Sequence, residues 1–169
     1  MAKVLIAYYP QKETKKVADR FKLNFENKNF DINLKEIKLV KELEMKKQFK
    51  REKKLELETK VTSISKYDFI IIGTPLVAFT SVPAVNAFIR SLPKAEDKKV
   101  ILYATGIGLP GKAIKKMSSL FSMNGAKVIG GKVFSSIFEF DEKKLREVDA
   151  FFETMKKEFI IRKTKITKK

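Results

Sequence analysis

Tyr67 to Arg90 reads YDFIIIGTPLVAFTSVPAVNAFIR, and how this stretch folds decides the architecture of the chain. Asp68 to Ile72 predicts a buried strand, continuously apolar after Asp68 with no polar alternation. A strand of that kind must be covered on both faces, the condition of a central strand in a parallel sheet with helices above and below. Gly73-Thr74-Pro75 then predicts a turn, Pro75 to Val82 a mostly apolar loop, and Pro83 the first turn of a helix. In open parallel sheets ligands lie beyond the carboxyl ends of the strands, so the Pro75 to Val82 loop is the first place to look for a site.

Working outward, Val85, Phe88, Ile89 and Leu92 form the inward stripe of that helix, which Pro93 ends. Toward the N-terminus, KVLIAYY (Lys3 to Tyr9) predicts a second buried strand. A helix follows, with Val17, Ala18, Phe21 and Phe25 on one face and Thr14 at the head of the stripe. FDINLKEI (Phe30 to Ile37) alternates apolar and polar residues, with a break in phase before Ile37, as an edge strand does. From Lys38 to Thr59 glycine and proline are absent, and Leu39, Leu43, Met45 and Phe49 are the larger apolar residues; most of this segment is expected to be helix. Toward the C-terminus, KVILYA (Lys99 to Ala104) predicts a further buried strand and TGIGLPG (Thr105 to Gly111) its exit loop. Ile114, Met117, Leu120 and Phe121 mark a helix closed by Asn124-Gly125. Ala126 to Phe134 predicts a fifth strand interrupted by Gly130-Gly131. A last helix carries Leu145, Val148, Phe152, Met155 and Phe159, with Asp141 as its cap. Strand and helix alternate five times, which implies an α/β domain of three layers with a parallel sheet and right-handed crossovers. The expected organisation is one domain over 1–160, with 38–60 a basic helical insertion and 161–169 a basic tail.

Composition narrows the chemistry. The chain has neither cysteine nor histidine, which removes disulfides, thiolate and Ser-His nucleophiles, HExxH metal sites and imidazole-ligated haem. The first apolar run is too short for a signal peptide, and no run approaches the ~20 apolar residues of a membrane span, so a soluble, cytoplasmic protein is expected. The net charge of +17 suits an acidic protein, nucleic acid or an anionic membrane surface as partner, or else a lysine-rich surface that only keeps the protein in solution. The basic cluster Lys46, Lys47, Lys50, Arg51, Lys53 and Lys54 divides the same way, between a docking patch and a solvated helix face.

Three segments resemble the flavodoxin family: KVLIAYY with TKKVA near the start, YDFIIIGTP with VPAVNAFI in the middle, and KKVILYATG, GKAIKKM and GAKVIGG toward the end. The resemblance covers most of the chain outside 38–60 and the tail. It implies a five-stranded parallel sheet of order 2-1-3-4-5 with helices on both faces. It also implies flavin mononucleotide (FMN) held at the strand ends, its phosphate in the loop after the first strand.

By this resemblance FMN contacts the loops after Tyr9, Thr74 and Thr105. In the first, Thr14 matches the family pattern, Gln11 has donors to offer, and Lys12, with Lys15 or Lys16, brings positive charge. The same loop departs from the family's run of a hydroxyl residue, Thr-Gly and Asn-Thr or Thr-Thr. Pro10 has no N–H, glycine is missing, and Glu13 is negative, so a plain strand-to-helix turn is the alternative. In the second loop Thr74, Pro75, Leu76, Val77, Ala78 and Phe79 are implied to face the flavin ring; Phe79 either stacks on it or folds onto the core. In the third, the backbone of Thr105, Gly106, Ile107 and Gly108 is implied to approach the flavin edge. The match of Gly106, Gly108 and Gly111 to a dinucleotide fingerprint carries little weight, because Pro110 lies inside it and the unit is not the first of the sheet. Two functions follow as expectations: an FMN-binding electron-transfer protein or oxidoreductase, or a flavodoxin-like scaffold that has lost FMN and binds an acidic redox or regulatory partner.

Overall fold

The computed structural model describes residues 1–159. The basic tail expected at 161–169 lies outside them. The chain runs β1 (Lys3–Tyr8), α1 (Lys12–Glu26), β2 (Asp31–Glu36), α2 (Met45–Lys50), β3 (Phe69–Val77), β4 (Thr80–Ser81), α3 (Pro83–Ser91), β5 (Lys99–Gly106), α4 (Ala113–Ser122), β6 (Lys127–Ser135) and α5 (Glu142–Thr154). Five parallel strands lie in the order β2-β1-β3-β5-β6, and the two-residue β4 pairs antiparallel with the end of β3. Counted along the chain, the five parallel strands have the expected 2-1-3-4-5 order; β4 is an addition the sequence reading lacked.

The period of two along a strand divides the core into two layers. Leu5, Ala7, Ile70, Ile72, Val100 and Leu102 point to the face covered by Val85, Phe88 and Ile89 of α3 and Met117 and Phe121 of α4. Val4, Ile6, Phe69, Ile71, Ile101 and Tyr103 point to the other, under Val17, Phe21 and Phe25 of α1 and Val148 and Phe152 of α5. The second layer is aromatic. Phe25 meets Phe152 edge-on with ring centres 4.8 Å apart, and Phe159 closes the cluster over Phe69 at 5.1 Å. Arg20 joins α1 to α5 through two hydrogen bonds to Asp149, at 2.6 and 2.8 Å, a fork geometry that holds the Asp149 carboxyl below its usual range.

Three expectations are corrected. The central strand does not stop at Ile72 but continues to Val77, so Gly73-Thr74-Pro75 is strand rather than turn. Pro75 is tolerated there because β1 pairs β3 only as far as Gly73, leaving no neighbour on that side for the missing N–H to serve. Likewise β5 runs to Gly106, and Thr105 and Gly106 belong to the strand rather than to its exit loop. The segment 38–60 is mostly not helical: among its residues α2 is six long, followed by a single 3-10 turn over Glu52–Lys54. Tertiary contacts override its local helix propensity. Leu57 is buried by an antiparallel bridge to Leu39, Val40 N–H donates to Glu56 O, and Glu52 reaches α3 through Asn86 Nδ2 at 2.6 Å. In β6 the glycine pair does interrupt pairing, with a register shift that leaves Ile129 unopposed.

Gly73 is where the two central strands close on one another. A Cβ there would overlap the ring of Tyr103, which is fully buried and tied by its hydroxyl to Thr14 O at 2.8 Å. Gly73→Ala is therefore expected to cost roughly 3 kcal/mol, read as a lower urea midpoint at unchanged slope. Adding Tyr103→Leu, which removes the ring, should recover part of the loss; an unshifted midpoint in the single variant would contradict the contact.

Candidate functional site

The carboxyl ends of β1, β3 and β5 bring the three predicted loops to one edge of the sheet, and a hydroxyl pair couples two of them: Thr14 Oγ1 lies 2.7 Å from Thr105 Oγ1, both buried. The first loop is short because Tyr9 N–H still bonds to Gly73 O and α1 begins at Lys12. The opening turn of α1 presents unpaired N–H groups, as every helix start does. Here Glu13 N, Thr14 N and Thr14 Oγ1 converge on one oxygen, Oε1 of Gln11, at 3.1, 3.1 and 3.0 Å. Since the Thr14 hydroxyl proton goes to Gln11, the proton of the Thr14–Thr105 bond is that of Thr105. Gln11, expected as a donor, serves through its carbonyl oxygen as the helix cap.

The charged residues of this loop are engaged as well. Glu13 accepts from Phe140 N at 2.9 Å and lies 3.7 Å from Lys16, so its charge is held by the segment after β6. Lys12 pairs with Glu139 at the surface, and that hydrogen bond holds its amine above the ordinary lysine range. Neither partner, Glu139 or Phe140, was singled out in the sequence. Both come from a loop more than a hundred residues away, and no local pattern announces them.

At the second loop, Ala78 and Phe79 form a two-residue hairpin turn between β3 and β4, with φ of 50° and 61°. This is the primed turn that ordinarily carries Asn-Gly. Two side-chain-bearing residues hold the left-handed region because the turn is clamped from outside: Lys112 N donates to Phe79 O at 2.7 Å, and Gly111, itself at positive φ, lets that carbonyl approach its Cα, where a Cβ would overlap it. The Phe79 side chain is 63% exposed rather than folded onto the core. Leu76 fills the space a Cβ on Gly106 would take, joining loop two to loop three. Thr74 is buried, and its hydroxyl donates to Pro75 O while accepting from Val82 N, so its polar capacity is committed within the fold.

In the third loop Ile107 and Leu109 are exposed, and Gly108, at φ 81°, has open space about it. Ile137 and Phe138, in the segment after β6, are exposed too. The ends of three adjacent strands thus present apolar side chains around backbone turns. Leu109, Ile137 and Phe138 were missed in the sequence; isolated apolar residues in loops have no periodicity to reveal them.

The fold matches a short-chain flavodoxin associated with a non-canonical PDU bacterial microcompartment (TM-score 0.66, 16% identity, 93% of this chain and 98% of that one). It also matches a flavoprotein from Lactobacillus acidophilus in complex with FMN (TM-score 0.62, 21% identity, 89% and 97%) and an azoreductase from Bacillus anthracis (TM-score 0.57, 17% identity, 91% and 96%). Neither a family model nor a curated protein matches the sequence. At these identities the likeness is one of fold: the chain has the flavodoxin-like fold along nearly its whole described length.

Two tyrosines lie beneath the first loop. Desolvation pushes the Tyr8 phenol up to about 12, with Glu36 adding to it, and burial raises Tyr103 well above its ordinary value. A phenol raised on folding stabilises fully below its unfolded pKa of about 10 and loses that contribution as pH climbs through the folded value. Stability should therefore fall from about pH 10 upward, toward about 12 for Tyr8. In an ultraviolet titration of the four tyrosines, unperturbed by tryptophan, Tyr8 and Tyr103 should ionise late, Tyr103 only as the fold is lost. Four phenols titrating together near the free value would refute this.

Proposed function

We propose that this chain is an FMN-binding flavodoxin-like protein that serves as an electron carrier or oxidoreductase. One observation carries the reading: three donors at the start of α1 converge on a single oxygen, the arrangement a phosphate oxygen requires, with the Gln11 carbonyl standing in that place. The residues fit the group once Gln11 turns outward. Glu13 N, Thr14 N and Thr14 Oγ1 would then hold the phosphate, while Glu13's carboxylate stays with Phe140 and Lys16. Pro75 to Phe79 would flank the ring, with exposed Phe79 as the stacking surface, and the Thr105 to Gly108 backbone would face its edge. The redox chemistry would be the flavin's, which suits a chain without histidine or cysteine. The solved neighbours described as flavodoxins and flavoproteins support the same reading.

A second reading draws on the same oxygen. The first loop is hydrogen-bonded within itself, through Gln11 and the Lys12–Glu139 pair, as a scaffold without FMN would be. In that case the exposed basic residues of 46–54 and the apolar loop tips serve an acidic redox or regulatory protein; no motif singles out nucleic acid or membrane. Among the described residues no helix is long and apolar enough to cross a bilayer.

Protein saturated with FMN and then desalted should keep flavin absorbance near one FMN per chain. Gln11→Gly, which removes the competing oxygen, should bind FMN about fivefold more tightly, the worth of roughly 1 kcal/mol of displaced hydrogen bonding. If both proteins come off the column colourless, the flavin reading is lost and the scaffold reading stands.

A further inference from the structure

Nothing in the sequence distinguishes Gln48, an uncharged residue in a lysine-rich run. The structure buries it on α2, where Nε2 donates to Leu43 O at 3.0 Å and to Tyr9 Oη at 3.3 Å. The Leu43 carbonyl fixes the amide's orientation, because only the NH2 group can serve it. Oε1 is left without a donor, the one buried side-chain nitrogen or oxygen among the described residues in that condition. A buried acceptor is rarely left unpaired, and one that is asks for an occupant.

Gln48 lines a cavity of about 410 Å³ between the carboxyl ends of β1 and β2 and the 38–60 segment, a size suited to a small molecule. Pro10, Ile37, Leu39, Val40 and Leu43 give it apolar walls. Glu42 and Glu58 are exposed on its lining and have no ion pair among the described residues, whereas Lys38, also on the lining, lies 3.3 Å from Glu36. On a chain with net charge +17, carboxylates thus outnumber ammonium groups on this lining by two to one. Tyr9 Oη accepts from Gln48 and keeps its own proton to offer.

We propose that this cavity binds a small organic cation with an apolar body: an N–H of the ligand donates to Gln48 Oε1, the apolar part lies on Val40, Leu39 and Ile37, and Glu42 and Glu58 balance the charge. The site borders the first loop through Tyr9 and Pro10 but is lined by none of the groups proposed to hold FMN, so its test stands apart from the flavin reading.

Phenethylamine is a suitable probe, with 2-phenylethanol as its neutral and 3-phenylpropanoate as its anionic counterpart, titrated into the full chain without FMN. In ¹⁵N–¹H spectra the Gln48 side-chain amide and the Val40 backbone amide should shift saturably with phenethylamine, more weakly with the alcohol and not with the carboxylate. Gln48→Met, of similar volume and without the acceptor, should weaken the amine about tenfold, one hydrogen bond to a charged group. The surface variants Glu42→Gln with Glu58→Gln should abolish the preference for amine over alcohol, and Val40→Trp should block the mouth; these decide the matter if Gln48→Met does not fold. A cavity that holds only water would give no saturation up to about 10 mM amine, an affinity weaker than about 3 kcal/mol, and that result overturns the proposal. So would equal binding of the carboxylate, or unchanged amine affinity in the surface variants.

Discussion

The contact between Gly73 and the Tyr103 ring is the constraint on which the other features of this molecule depend. It lets β3 and β5 lie side by side with a large aromatic between them and α1, and the Tyr103 hydroxyl then carries the position of the sheet to the first turn of the helix through Thr14 O. The next residue pair up, Thr14 with Thr105, repeats the connection between two buried hydroxyls. A loop of only three residues, Tyr9 to Gln11, can then join β1 to α1 with its donors aimed at one point, because both ends are held by buried groups rather than by the loop's own sequence. Site geometry here is set by the core.

How much of this was legible in the chain follows from the range of the interactions. The central strands were readable as unbroken apolar runs, and the faces of α1, α3, α4 and α5 because burial on one face imposes a helical period; the order of the strands followed only from the resemblance to flavodoxins. Strand ends were less so: nothing local says that Pro75 has no neighbour on its β1 side, since that depends on where β1 stops. The segment 38–60 misled because lysine, glutamate and leucine favour helix wherever packing does not decide, and here the bridge from Leu39 to Leu57 and the anchor of Glu52 on Asn86 do decide. Gln11 was recognised as a residue of interest but with the wrong end of its amide. A helix start offers only N–H groups, so the carbonyl, not the amine, is what it draws in.

Charge has a similar division between bulk and local effect. The excess of lysine lies largely on solvated surface, where single ion pairs such as Lys15–Asp19 contribute little. The acidic residues that matter are those with long-range partners: Glu13 on the Phe140 N–H, Asp149 on the Arg20 fork, Glu52 on Asn86 and Arg90. Each ties a helix to a segment distant in sequence. In a strongly basic chain the carboxylates are the scarce species, and their placement does more to specify which segments meet than the abundant cations can.

The hairpin at Ala78 and Phe79 bears on why the loops have the form they do. Two non-glycine residues in the left-handed region cost about 1–2 kcal/mol each relative to an unstrained turn, and Asn-Gly would satisfy the same geometry without that cost. The surroundings hold the turn by several independent means: the β4 pairing, the Ser81 hydroxyl on Asn86, the Lys112 amide on Phe79 O, and a glycine at 111 where any side chain would collide. None of this buries Phe79, whose ring stands in solvent at the edge shared with Ile107 and Leu109. A turn that is strained, externally clamped and used to expose an aromatic gains nothing for the core. Under the proposed flavin reading, the clamps that maintain it would serve to present that ring at the ends of β3 and β5.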